Sequence, residues 1–336
     1  MRRRLLLSGS AVAAVVPLLL RSAGRPTGDA HSAAAAATSA PFGRGRTAAR
    51  VLEAVIEGSA WAGCRLPAGA AHALAGVGGT AEWALRPAKR ARLARNLAHA
   101  IGRGERESAV RRLVLAEVRN EARRSADLLW ALGDRAAVRA STAIEGREHM
   151  VEALAEGRGA ILAGTHLGGW EIAASISEDA IPGAVTAVVA DNWLAWAMEK
   201  RRRAVGLRTV KRHEAARGAA RALRDGGTVL LLGDDSWGGT ARVHPVRFLD
   251  GVAELPAGIV TLARLCGSPI VPFTFLPDGP RRWRGRFEPA IAPPGRAEGV
   301  EGEQRVLQLL AERWSAAIER APEHWAASFR IRWVES

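Results

Sequence analysis

The pattern after Gly146 constrains the fold most. Four short apolar runs stand there: Ala160 to Ala163, Ala184 to Ala190, Val229 to Leu232 and Ile270 to Phe275. Between them lie stretches of helical character, such as Ala195 to Val205, Glu214 to Arg224 and Pro256 to Leu265. Strands alternating with helices predict an α/β sheet. A last amphipathic helix is expected from about Gly302 to Ile318. Upstream, from about Thr47 to Leu132, apolar residues recur at three and four, which predicts three or four amphipathic helices. Breaks are expected at Gly63 to Pro67, Gly76 to Gly79, Pro87 and Gly102 to Gly104. The plan is a helical N-terminal region (47–132) leading into an α/β core (146–334), together one integrated domain over 44–334.

The first forty residues differ. Arg2, Arg3 and Arg4 precede an apolar run from Leu5 to Leu20, interrupted by Gly9 and Pro17. The run falls short of the roughly 20 residues that span a bilayer. A signal peptide, a membrane-dipping anchor and a mis-called start all fit it. Ala33 to Ala40 reads as a low-complexity linker.

Composition excludes several classes. A hydrophobic fraction of 48% with 24% charged residues is that of a globular chain with a sizeable core, not of a disordered, collagenous or polytopic membrane protein. Two cysteines, Cys64 and Cys266, cannot build a disulfide framework. The net charge is +14, and 45 of the 48 basic residues are Arg. Such a surface favours anions: nucleic acid, anionic lipid headgroups or phosphorylated substrates.

The segment richest in chemistry is Thr165-His166-Leu-Gly168-Gly169-Trp-Glu171. His166 sits at the carboxyl end of an expected strand, where open α/β sheets bind ligands. Gly168 and Gly169 permit a tight turn, and Glu171 falls in the first turn of the next helix. On a continuous helix, residues five apart point roughly 140° away from each other. A strand–Gly-Gly–helix turn instead folds Glu171 back onto the imidazole. The pair then reads as a general base with its orienting carboxylate, and the amides around Gly168 and Gly169 read as oxyanion donors. Asp234 and Asp235 end another strand and read as acceptor-side polar contacts or a helix cap. No third ligand supports a metal there. His213-Glu214 lacks the second His of a zinc motif, and Gly-x-Ser-x-Gly is absent. Gly76-Val-Gly78-Gly-Thr-Ala81 lacks the preceding strand of a dinucleotide fingerprint and reads as a turn between helices.

His166-Leu-Gly-Gly-Trp-Glu171 resembles the His-x-x-x-x-(Glu/Asp) motif of the bacterial lipid A (lauroyl and myristoyl) acyltransferases and of the related phosphatidylinositol mannoside acyltransferases. The family usually has Asn where Gly169 stands. Leu230-Leu-Leu-Gly-Asp234-Asp235 is similar to its strand ending in Asp. Phe248-Leu-Asp-Gly-Val-Ala253-Glu-Leu-Pro256 is similar to its Phe-Phe-Gly-x-x-Ala-x-x-Pro segment, with Asp250 in place of Gly. Leu262 to Pro272 and Ala321-Pro322-Glu-His-Trp325 extend the resemblance to about Thr47–Trp333. The resemblance implies a glycerolipid-acyltransferase-like mixed sheet. It also implies transfer of a fatty acyl group from acyl-CoA or acyl carrier protein to a glycolipid hydroxyl, with His166 as base and Glu171 beside it. Arg202, four residues before Gly206, is selected as the donor-phosphate contact. No cofactor, metal or nucleic acid is implied. A cytosolic thioester donor implies a peripheral or monotopic protein on the cytosolic face of the cytoplasmic membrane. A hydrolase on the same fold and a non-enzymatic basic membrane-surface protein are the alternatives.

Overall fold

The computed structural model describes residues 57–189, 202, 207–235, 242–329 and 331–334. The segment 1–40, and the expected helix at 195–205 apart from Arg202, lie outside the described residues.

Helical backbone over 57–65 leads into α1 (Ala68–Leu85), α2 (Pro87–Ile101) and α3 (Ser108–Gly133). The stops follow local chemistry. Pro67 separates the first two helical stretches, Pro87 opens α2 at its first position, and Gly102 closes it at φ 59.

The expected break at Gly76–Gly79 does not occur, because α1 runs straight through it. Gly76 and Gly79 are buried, and the helix packs that face on α3. A Cβ on Gly79 would lie 2.8 Å from both Arg119 Cα and Val118 O. His72 meets Asp127 of α3 across the same contact at 2.7 Å. These glycines set how closely two helices approach rather than turning the chain. Gly79→Ala is therefore expected to cost about 1–3 kcal/mol through overpacking. Gly78→Ala, with open space at its Cβ, should gain up to about 1 kcal/mol. Thermal unfolding of the two single variants checks both signs.

After α4 (Arg135–Ala140) the chain builds the sheet through β1 (Thr142–Glu145), α5 (Arg147–Ala155), β2 (Ala160–Gly164), α6 (Trp170–Ser175), α7 (Ser177–Ala180), β3 (Val185–Val189) and β4 (Arg208–Lys211). It continues with α8 (Ala215–Arg224), β5 (Thr228–Leu232), β6 (Val243–Phe248), β7 (Gly251–Pro256), α9 (Gly258–Cys266), β8 (Ile270–Pro277) and β9 (Trp283–Phe287). The last elements are α10 (Gly299–Arg320) and β10 (Arg332–Trp333).

Seven strands form one mixed sheet in the order β1-β9-β8-β2-β5-β3-β4. Only the β8–β9 pairing is antiparallel. A small antiparallel sheet, β10-β7-β6, stands apart. Every residue of β2 is buried, because helices cover both faces of the sheet. Ile161 and Ala163 join a core with Leu223, Val260, Leu310 and Trp314 from α8, α9 and α10. Ala160 and Leu162 join the opposite core with Met150, Ile181 and Phe273. The molecule is an α/β protein: a mixed sheet flanked by helices, preceded by a helical region.

Candidate active site

The register of two neighbouring parallel strands builds the site. Gly164 of β2 pairs with Leu232 of β5, and the Gly233 N–H donates to Gly164 O at 2.9 Å. Two residues past each pairing stand His166 and Asp234, side by side at the carboxyl ends of their strands. Asp234 is fully buried. It accepts the His166 Nδ1–H at 2.8 Å, the His166 backbone N–H at 2.9 Å and the Trp325 indole N–H at 2.8 Å. Trp325 arrives from the segment after α10, which pairs with the loop after β2: Leu167 bridges Trp325, and the Ala326 N–H donates to His166 O at 2.9 Å.

A carboxylate only accepts, so the Nδ1 contact fixes the proton on Nδ1 and leaves the Nε2 lone pair free to take another. Burial alone would lower the imidazole pKa. The Asp234 charge and hydrogen bond outweigh it, Asp235 and Glu171 add to them, and the net direction is upward. Phe329 packs on the ring at 4.7 Å between centroids, and Trp170 meets it edge-on at 5.8 Å.

The structure corrects three expectations. First, the carboxylate on the imidazole is Asp234, and no hydrogen bond joins Glu171 to His166 among the described residues. The Gly-Gly turn leaves Glu171 exposed on the cleft side, while the strand register delivers Asp234 directly behind Nδ1. Second, of the two readings of Asp234 the acceptor contact falls: it is sealed beneath His166 with its oxygens already engaged, a structural role filled by holding His166 and Trp325 rather than by capping a helix. Third, Gly168 and Gly169 are not oxyanion donors. Their N–H groups are taken by His324 O at 2.9 Å and Phe275 O at 2.8 Å. The glycines are needed for the turn: Gly168 has φ 71, and a Cβ on it would fall 2.0 Å from Phe275 O.

Glu171, the second residue of α6, faces a cleft of about 250 Å³, together with His166, Trp170, Ile172, Ala326 and Phe329. The opposite wall is α3, through Glu121, Arg124, Ser125 and Leu128. Crowding by protein raises the Glu171 pKa, against the pull of Arg202, His166 and Arg124. Arg124 is held in that wall by donating to Glu117 Oε1 and to His324 O, each at 3.2 Å. Arg202 thus lies within electrostatic reach of the site, as does Asp235. Among the described residues no group of three His, Cys, Asp or Glu side chains is placed to hold a metal. Sequence reasoning missed Trp325 and the α3 wall. Trp325 carried one usable signal, the Pro-Glu-His-Trp match. Arg124 carried none, being one arginine among 45.

A strand-end histidine backed by a buried carboxylate and open to a cleft on a mixed α/β sheet is an arrangement that can take up a proton at Nε2. The model of the bacterial lipid A biosynthesis acyltransferase family matches residues 55–333, and the chain belongs to that family. It is an acyltransferase of lipid biosynthesis. A search of curated proteins finds no match. Among the described residues no helix is long and apolar enough to cross a membrane.

Proposed function

We propose that the protein moves a fatty acyl group from the thioester of acyl-CoA or acyl carrier protein to a glycolipid hydroxyl, with His166 as general base. The His166–Asp234 hydrogen bond carries this reading, since it leaves Nε2 as the free base of the cleft. Nε2 takes the acceptor hydroxyl proton as the oxygen attacks the thioester carbonyl. The tetrahedral oxyanion collapses, the carbon–sulfur bond breaks, and the imidazolium proton goes to the departing thiolate. The products are an ester and a thiol, with no acyl-enzyme. Asp234 stabilises the imidazolium formed midway.

In this reading Glu171 adds a second negative charge near the imidazolium and a polar contact for the acceptor. Arg202 takes a donor phosphate. Leu128, Ile172 and Phe329 offer apolar wall for the acyl chain. Because the donor is cytosolic, the enzyme works from the cytosolic side of the cytoplasmic membrane, as a peripheral or monotopic protein.

The test is acyl-donor consumption measured with and without lipid acceptor. Ester product that requires acceptor, and disappears in His166→Ala, is the expected result. Equal thiol release without acceptor would make the protein a hydrolase and overturn the proposal. Lipid mass spectrometry of the host with the gene deleted then names the glycolipid.

A further inference from the structure

Helix α1 buries one side and leaves the other bare. Ala71, Ala75, Gly76 and Gly79 are buried. Its polar side chains are engaged locally or inward: His72 on Asp127, Thr80 on Gly76 O, Glu82 on Arg86 and Lys89. The opposite row is Ala70, Leu74, Val77, Ala81 and Leu85, spaced at four, three, four and four, and every member is exposed. Leu85 is 79% exposed and Val77 71%, unusual values for large aliphatic side chains with no charged neighbour in their row.

Charge complementarity selects the occupant. From Ala68 to Ile101 the only carboxylate is Glu82, against Arg86, Lys89, Arg90, Arg92 and Arg95. Lys89 is buried on Glu82 and Glu121, and Arg86 pairs with Glu82, so the cations left at the surface are Arg90, Arg92 and Arg95, the last also 3.8 Å from Glu105. Just upstream the exposed Trp61 lies under the Arg65 guanidinium at 3.8 Å, and Trp83 lies under Arg90 at 5.0 Å. Tryptophan and arginine are side chains that sit at the headgroup level of a bilayer. An apolar helix row beside cations and almost no acid fits a helix lying in the plane of an anionic membrane surface.

We infer that α1 docks the protein on anionic lipid through Leu74, Val77 and Leu85, with Arg90, Arg92 and Arg95 of α2 holding the headgroups. The inner side of α1 rests on α3, and α3 forms one wall of the catalytic cleft. Docking therefore ties the cleft wall to the lipid surface through one helix. This deepens the membrane placement proposed above and rests on it for the choice of a lipid occupant.

The test uses the full chain with Val77→Cys in a Cys64→Ala, Cys266→Ala background, labelled with a polarity-sensitive dye. Emission is expected to shift blue on adding vesicles of mixed phosphatidylcholine and phosphatidylglycerol, to shift less with phosphatidylcholine alone, and to recover partly in high salt. No shift with the anionic vesicles overturns the inference. Emission already blue without vesicles also overturns it, because the face is then covered by the chain's own residues or by a second copy. In the unlabelled protein, Leu74→Ser, Val77→Ser and Leu85→Ser together should weaken vesicle partition at least about tenfold. Acyl transfer to a detergent-dispersed acceptor should be unchanged. The dye shift does not depend on turnover, so failure of the acyl-transfer reading and failure of docking are separate results.

Discussion

Asp234→Asn should lower kcat by about three to four orders of magnitude while the protein stays folded. An aspartate holding a catalytic imidazole contributes that much elsewhere when its loss also disturbs the tautomer. Here the dependence is built into the contacts. Asp234 fixes Nδ1–H and, with its second oxygen, accepts the His166 amide and the Trp325 indole. An asparagine puts an NH₂ where donors converge, and it brings no charge to stabilise the imidazolium. Burial then dominates the imidazole pKa, so the acid limb of the pH–rate profile moves to lower pH. Trp325→Phe offers a contrast. It keeps an aromatic ring against Phe248 and Phe329 but removes the N–H from Asp234. A loss of about tenfold or more is expected from one hydrogen bond to a charged group. With a donor gone, the Asp234 charge is less dispersed and His166 becomes more basic, so that acid limb moves up instead. Opposite shifts in the two variants separate positioning of the base from simple destabilisation. An unchanged kcat in Asp234→Asn, with the loss carried by Glu171→Gln, would return the orienting role to Glu171.

The sheet centre was legible because β2, β5 and β8 are short, mostly apolar and largely buried runs. β9 was not, since Trp283-Arg-Gly-Arg-Phe287 has only two large apolar residues, kept apart by a glycine and two exposed arginines, and so forms no apolar run. Gly76–Gly79 misled for a related reason: a glycine that breaks a solvated helix is the residue a close helix contact needs. His166 announced itself by its place after β2, and Asp234 by its place after β5. Their partnership depends on a strand register across the sheet, which no local pattern encodes. Glu171, five residues away in sequence, was the nearer carboxylate only along the chain. Trp325 reaches Asp234 from 91 residues downstream, and the cleft wall comes from a helix ending before β1.

Glu117 lies inside α3 with no exposed surface. Burial and the neighbouring Glu121 charge push its carboxyl up to about 8, against the opposing pull of Arg124 and Lys89. The folded chain therefore holds this proton more tightly than the unfolded chain, which releases it near the ordinary value of 4.5. Stability from the group is full at low pH and is lost as pH rises between those two values. Glu117→Gln copies the protonated acid: its oxygen still accepts from Arg124, and it never ionises. The variant should match the parent near about pH 5 and gain on it steadily above that. The gain should level off once pH passes the folded value, at up to about 5 kcal/mol. Thermal unfolding across that range reads the difference directly, and parallel curves would show that Glu117 is ionised throughout. Because Arg124 keeps its anchor, the α3 wall of the cleft stays in place and kcat should hold. Glu117→Leu removes that anchor as well. A fall in kcat there, without one in Glu117→Gln, would trace the effect to the position of Arg124 rather than to the buried charge.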